Sequence, residues 1–163
     1  MIDWKLKDAD RILRLFITAF LLILTGGYAI GLLFVDHTAT GSLHGLEQEY
    51  RCTPENANAA EIKYAKSVDE MYVFLHNHVL SLSIVFFFVG GTFYFSSLVK
   101  DGWKRFLMVE PILAIVTTFG GIWLMRFVSE DFSWLVVISG LTMVGCYIVM
   151  VALILVELWR KSS

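Results

Sequence analysis

The chain has 163 residues, of which 57% are hydrophobic, 15% aromatic and 17% charged, with a formal net charge of -2. That apolar share exceeds what an ordinary water-soluble domain carries, and the slight excess of acid excludes a nucleic-acid footprint. Four bilayer crossings at roughly 20 residues each use about half of the chain, which leaves little for a separate soluble domain.

The first predicted span covers 12–35, behind Lys5, Lys7, Arg11 and Arg14, and is interrupted only by Thr18, Thr25 and Tyr28. It is too long for a removable signal peptide and lacks a small-residue cleavage site. Gly27 and Gly31 have the spacing that lets helices approach closely. An outer loop, 36–72, follows. Within it Leu43, Leu46 and Tyr50 stand at helical spacing, which predicts a short amphipathic segment lying at the membrane surface. Thr53-Pro54 predicts a turn, Asn58 to Lys66 reads as helical, and Ser67 with Glu70 forms a capping box that opens the second span near Val68. Apolar stretches over 73–99, 106–127 and 132–158 complete the four spans. They carry small-residue patches at Gly90 and Gly91, at Gly120 and Gly121, and at Ser139, Gly140 and Gly145. The expected fold is all-α: a single membrane domain, a four-helix transmembrane bundle with a partly helical periplasmic loop between the first two spans.

Basic residues set the expected orientation. The N-terminus, the turn holding Lys100, Lys104 and Arg105, and the C-terminus with Arg160 and Lys161 fall on one side, which the positive-inside rule assigns to the cytoplasm. Arg51, Lys63 and Lys66 in the long loop are balanced by Glu47, Glu49, Glu55 and Glu61. Trp4, Trp103, Trp134 and Trp159 fall near the interfaces, as an aromatic belt requires. The expected location is a bacterial inner membrane, with lipid as the first partner.

All four histidines fall on the outer side: His37 and His44 after the first span, His76 and His78 two to three turns into the second helix. Ionisable groups at membrane depth are expensive and tend to mark function. His76 shares a helical face with Tyr72, Ser83, Gly90 and Tyr94, a polar face expected to look into the bundle, which makes it the foremost ligand candidate. His78 points about 200° away, so the two cannot readily bind one ion from the same turn. One histidine of the His37/His44 group and one of the His76/His78 group could hold b-type haem, with Arg51 and Arg126 as propionate partners. Arg126 has a structural alternative as a snorkelling residue or a partner of Glu130. The competing site is a bare transition metal, copper, zinc or iron, on the histidines with Glu47, which is one helical turn from His44. A hydrogen-bonded surface role is the plainest alternative for any single histidine.

Cys52 in a polar loop and Cys146 deep in a span predict no disulfide. CxxC, CxxCH and HExxH are absent, and no nucleophile arrangement or nucleotide loop makes the chain an enzyme by itself. Glu110, beside Pro111, is read as a carboxylate one turn inside a helix N-terminus that complements the helix dipole, with proton entry as the alternative. Glu157 is expected at the interface.

The stretch Leu75-His76-Asn77-His78-Val79-Leu80-Ser81, followed by a Phe-rich span with Gly90-Gly91, resembles small four-span bacterial membrane proteins found with respiratory and cytochrome components. The resemblance covers essentially one span. It implies an electron-transfer context with membrane or periplasmic redox partners, and no particular reaction. A cofactor-free accessory subunit, docking through its Gly-rich faces, is the third reading.

Overall fold

In hydrocarbon every backbone N–H and C=O must be satisfied within the chain, so long apolar runs close on themselves as helices. The computed structural model describes residues 4–39, 42–51 and 64–160. They form helices α1 (Arg11–Ala39), α2 (Leu43–Tyr50), α3 (Val68–Tyr94), α4 (Asp101–Phe127) and α5 (Ser133–Trp159), with single 3₁₀ turns at Leu6–Asp8 and Glu130–Phe132. No strand occurs among the described residues, and α1, α3, α4 and α5 are each long and apolar enough to cross a membrane. Cys52, the Thr53-Pro54 turn and 58–63 of the expected loop helix lie outside the described residues.

The capping box forms as the sequence predicts. Ser67 Oγ accepts the Glu70 N–H at 3.3 Å, and the Ser67 N–H donates to Glu70 Oε2 at 2.7 Å, so α3 opens at Val68. Replacing Ser67 with alanine should cost about 1 kcal/mol, the usual value of a lost N-cap, measured as a lower thermal midpoint in detergent. Just before this cap, residues 64–67 are not helical, contrary to the helical reading of Asn58 to Lys66. The Lys66 N–H instead bonds the Tyr50 carbonyl at 3.2 Å, and its ammonium pairs with Glu49 at 2.8 Å, tying the strand of loop to α2.

At its other end α3 stops at Tyr94, short of the expected 99. The Ser97 N–H leaves the helical ladder to bond Glu157 of α5 at 2.9 Å, and the Lys104 ammonium takes up the Tyr94 carbonyl at 3.2 Å and the Ser96 carbonyl. Helix termination here is a side-chain substitution for backbone pairing.

The core is made by α3, α4 and α5. Phe86, Val89 and Phe93 of α3 meet Leu107, Ala114, Ile115 and Ile122 of α4 and Val136, Met143, Met150 and Ile154 of α5, all buried. The helices α4 and α5 approach closely at Gly121, where a Cβ would stand 3.0 Å from Val136 Cγ2. Helix α1 lies on the side of this trio, and Leu21 and Ala39 are its buried residues. It is held by polar and aromatic contacts: Thr25 and the Tyr147 hydroxyl at 3.0 Å, Tyr28 stacked on Tyr147 at 4.2 Å, and Trp159 Nε1 donating to Thr18 Oγ1 at 3.0 Å. Those contacts use the Leu21, Thr25 and Tyr28 face. Gly27 and Gly31, expected to seat the helix closely, have no described neighbour within 4 Å of a Cβ position.

The first and last described residues lie at one end of the bundle. The Leu6 N–H bonds the Phe95 carbonyl at 3.1 Å, Trp4 packs edge-on against Phe95, and Trp159 reaches Thr18. Helix α2 sits at the opposite end. There Arg51 Nη1 donates to the Met125 carbonyl at 3.3 Å and Arg126 Nε to the Lys66 carbonyl at 2.8 Å.

Candidate functional site

The α2 end gathers the residues singled out by the sequence. Tyr50 of α2 is buried against Phe74 of α3, with ring centres 5.4 Å apart, and Phe74 in turn meets Phe119 of α4 at 5.9 Å. Burial pushes the Tyr50 phenol above its usual range, and the adjacent Glu49 carboxylate pushes it the same way. Tyr50 therefore serves as a neutral wedge between the loop and the spans.

All four histidines are exposed. His37 stands on the last turns of α1. His44 accepts from the Gln48 side-chain amide at 3.1 Å through Nε2, and its Nδ1 is 3.9 Å from Glu47. His76, placed by the sequence on the inward face, points outward with Tyr72 and Tyr94. The inward face of α3 is the bulky apolar one carrying Met71, Phe86, Val89 and Phe93. Lipid-facing residues are apolar too, so polarity alone did not reveal which side was covered.

His78 is the histidine held by the fold. Its Nδ1 is 2.8 Å from the Phe74 carbonyl, an acceptor, so that nitrogen carries the proton and donates it. The ring lies 4.2 Å from Phe74 and 5.5 Å from Phe119. That leaves Nε2 as the lone-pair donor of an exposed side chain. An imidazole whose other nitrogen donates to a backbone carbonyl is the usual arrangement of a metal-ligating histidine.

Arg51 and Arg126 each give one N–H to a backbone carbonyl and so brace the loop against the end of α4; Arg126 also lies 4.8 Å from the Phe127 ring centre. Among the described residues no three of His, Cys, Asp and Glu come together.

A second polar centre, at the end bearing the termini, was read from sequence as interfacial. Glu157 is only 2% exposed. Its carboxyl accepts the Ser97 N–H at 2.9 Å, the Ser97 hydroxyl at 2.6 Å and the Ser96 hydroxyl. The signal for this burial was present: Glu157 continues the stripe of Met143, Tyr147, Met150 and Ile154 at helical spacing. Within the spans, Thr118 and Ser139 share a buried hydrogen bond of 2.8 Å between α4 and α5. Glu110 lies nine residues past Asp101, about 14 Å along α4 and well beyond the first turn that the sequence reading gave it.

These features define a multi-pass α-helical integral membrane protein in contact with the lipid bilayer, whose polar groups are held between helices and at the bundle ends. A family model described as a transmembrane helical domain, Aq_1264_TM, matches residues 40–163, and the chain belongs to that family. The matched region takes in α2 to α5 and leaves out α1. No curated protein and no solved structure matches the chain significantly.

Proposed function

We propose that this chain is a bacterial inner-membrane subunit that binds b-type haem at the periplasmic, α2 end of its bundle and takes part in respiratory electron transfer. The observation that carries this reading is His78: its Nδ1–H is fixed on the Phe74 carbonyl, its ring lies against two phenylalanines, and the side chain is exposed. The orientation rests on Lys5, Lys7, Arg11, Arg14, Lys100, Lys104 and Arg105, which crowd the end bearing the termini.

Exposure of all four histidines supports placing haem at the surface of the bundle rather than in its interior. His78 would hold the iron, with His37 or His44 supplying the second imidazole nitrogen. Arg51 and Arg126 retain N–H groups beyond those given to the backbone, which suits them to propionates. Haem, when bound, supplies one-electron chemistry; the protein contributes ligation, orientation and an apolar wall.

The test is an absorption spectrum with metal analysis on protein from haem-replete cells. A Soret band with visible bands that sharpen on reduction is expected, lost in His78→Ala and retained in Ser67→Ala. Copper or zinc without porphyrin absorbance would replace haem by a bare metal on the same histidines. A colourless, metal-free preparation would leave the accessory-subunit reading, which the uncovered Gly26, Gly27 and Gly31 face of α1 favours.

A further inference from the structure

The two arginines at the α2 end have structural duties that use only part of them. Both the Val128 and the Ser129 N–H turn to the Leu124 carbonyl, which leaves the Met125 carbonyl in the last turn of α4 to Arg51. Arg126 gives its Nε–H to the Lys66 carbonyl, while the Lys66 N–H reaches the carbonyl of Tyr50, the neighbour of Arg51. Two guanidiniums are in this way gathered about one helix end. The α4 dipole favours cations there and accounts for their placement. It does not account for the N–H groups that each guanidinium keeps. Among the described residues the ion pairs are His44 with Glu47 and Lys66 with Glu49, so neither arginine is matched by a carboxylate.

Toward the bilayer from Arg126, one side of α4 is apolar and uncovered. The Phe127 ring lies 4.8 Å from the guanidinium carbon, Trp123 stands 4.6 Å from Phe127, and Tyr72 of α3 stands 5.1 Å from Trp123. Aromatic rings of this kind settle at headgroup level. Gly120, Val116 and Leu113 continue the line at helical spacing, all exposed. Val116 is about 15 Å below Arg126 along the helix axis, half of a hydrocarbon core of about 30 Å, which is the reach of an acyl chain in one leaflet.

We propose that this end of α4 binds one anionic phospholipid. Its phosphodiester sits on the Nη groups of Arg126 in the field of Arg51, its ester region lies against Trp123 and Tyr72, and one acyl chain runs along Gly120 and Val116. A guanidinium fork matches two phosphate oxygens, which fixes the headgroup. A zwitterionic lipid brings its own ammonium to a place that already holds two unmatched cations, so charge selects the anionic class. The proposal does not rest on the haem reading: Arg126 offers its Nη groups to phosphate whether or not Arg51 meets a propionate.

The test is native mass spectrometry of the full chain in mild detergent, titrated with phosphatidylglycerol or with phosphatidylcholine of the same acyl chains. One phosphatidylglycerol should be held about tenfold more tightly than phosphatidylcholine. That preference is expected to vanish in Arg126→Ala and to persist in Arg126→Lys and Ser67→Ala, with helical content and size homogeneity reporting that each variant folds. The wild-type chain also reads the site without any variant. In phosphatidylcholine vesicles doped with phosphatidylglycerol that carries a diazirine in one acyl chain, light expels N2 and the carbene inserts into an adjacent C–H bond; the adduct should map to the α4 stretch from Val116 to Trp123. A colourless preparation that still selects phosphatidylglycerol supports the site, and haem-loaded protein with no such selection overturns it while leaving the haem. Equal retention of the two lipids, adducts spread evenly over the spans, or release of the lipid by an equal concentration of inorganic phosphate also overturns it.

Discussion

Glu157→Ala is expected to lower the stability of the folded bundle by about 2 kcal/mol, because it leaves the buried Ser96 hydroxyl, and the N–H and hydroxyl of the exposed Ser97, without their acceptor. The carboxyl is the common acceptor for both residues of the turn after α3, and through that turn it fixes the segment around Leu6, whose N–H bonds Phe95. The loss should appear as a lower thermal midpoint in detergent and as early proteolysis at the turn between α3 and α4. Glu157→Gln retains one carbonyl acceptor and should lose less. Equal stability of wild type and Glu157→Ala would show that this cradle is not a structural anchor.

The second large effect is expected at Gly121→Leu. A single Cβ there already stands 3.0 Å from Val136 Cγ2 and 3.6 Å from Leu135 Cδ2, so a branched side chain must force α4 and α5 apart. Overpacking of this kind costs about 3 kcal/mol. The separation should also weaken the bond between Thr118 and Ser139, one turn away on each helix. Gly120→Leu is the matched control: no described neighbour comes within 4 Å of its Cβ position, and it should behave as wild type. If the two variants unfold together, close approach at Gly121 is not what holds the hairpin.

Residues with strong local chemistry were legible in the sequence. Ser67 and Glu70 announced the start of α3, and the lengths of the apolar runs gave the four spans within a few residues. What escaped was sidedness. In water a polar face marks the outside, whereas in a bilayer His76, Tyr72 and the lipid-facing Phe87 can share the uncovered surface of α3. The glycines were ambiguous for the same reason: Gly121 packs and Gly120 does not, although both fit a small-residue motif. Glu157 was misread because a charge near a helix end was taken as interfacial, although its spacing put it on the buried stripe of α5. For the histidines, sequence gave the shared end of the bundle. Only the fold distinguishes His78, since its hydrogen bond to Phe74 and its contact with Phe119 depend on how α3 meets α4.

The loose seating of α1 has a consequence for assembly. It meets the remainder along one edge, through Leu21, Ile17 and Leu24 and a few hydroxyl and ring contacts, while α3, α4 and α5 share the larger apolar interior. In hydrocarbon no water-driven force presses such a helix home, so its association rests on this packing and these hydrogen bonds. The unit of α3, α4 and α5 therefore carries most of the buried interior, and α1 adds to it from one side through Leu21 and the Tyr28–Tyr147 stack.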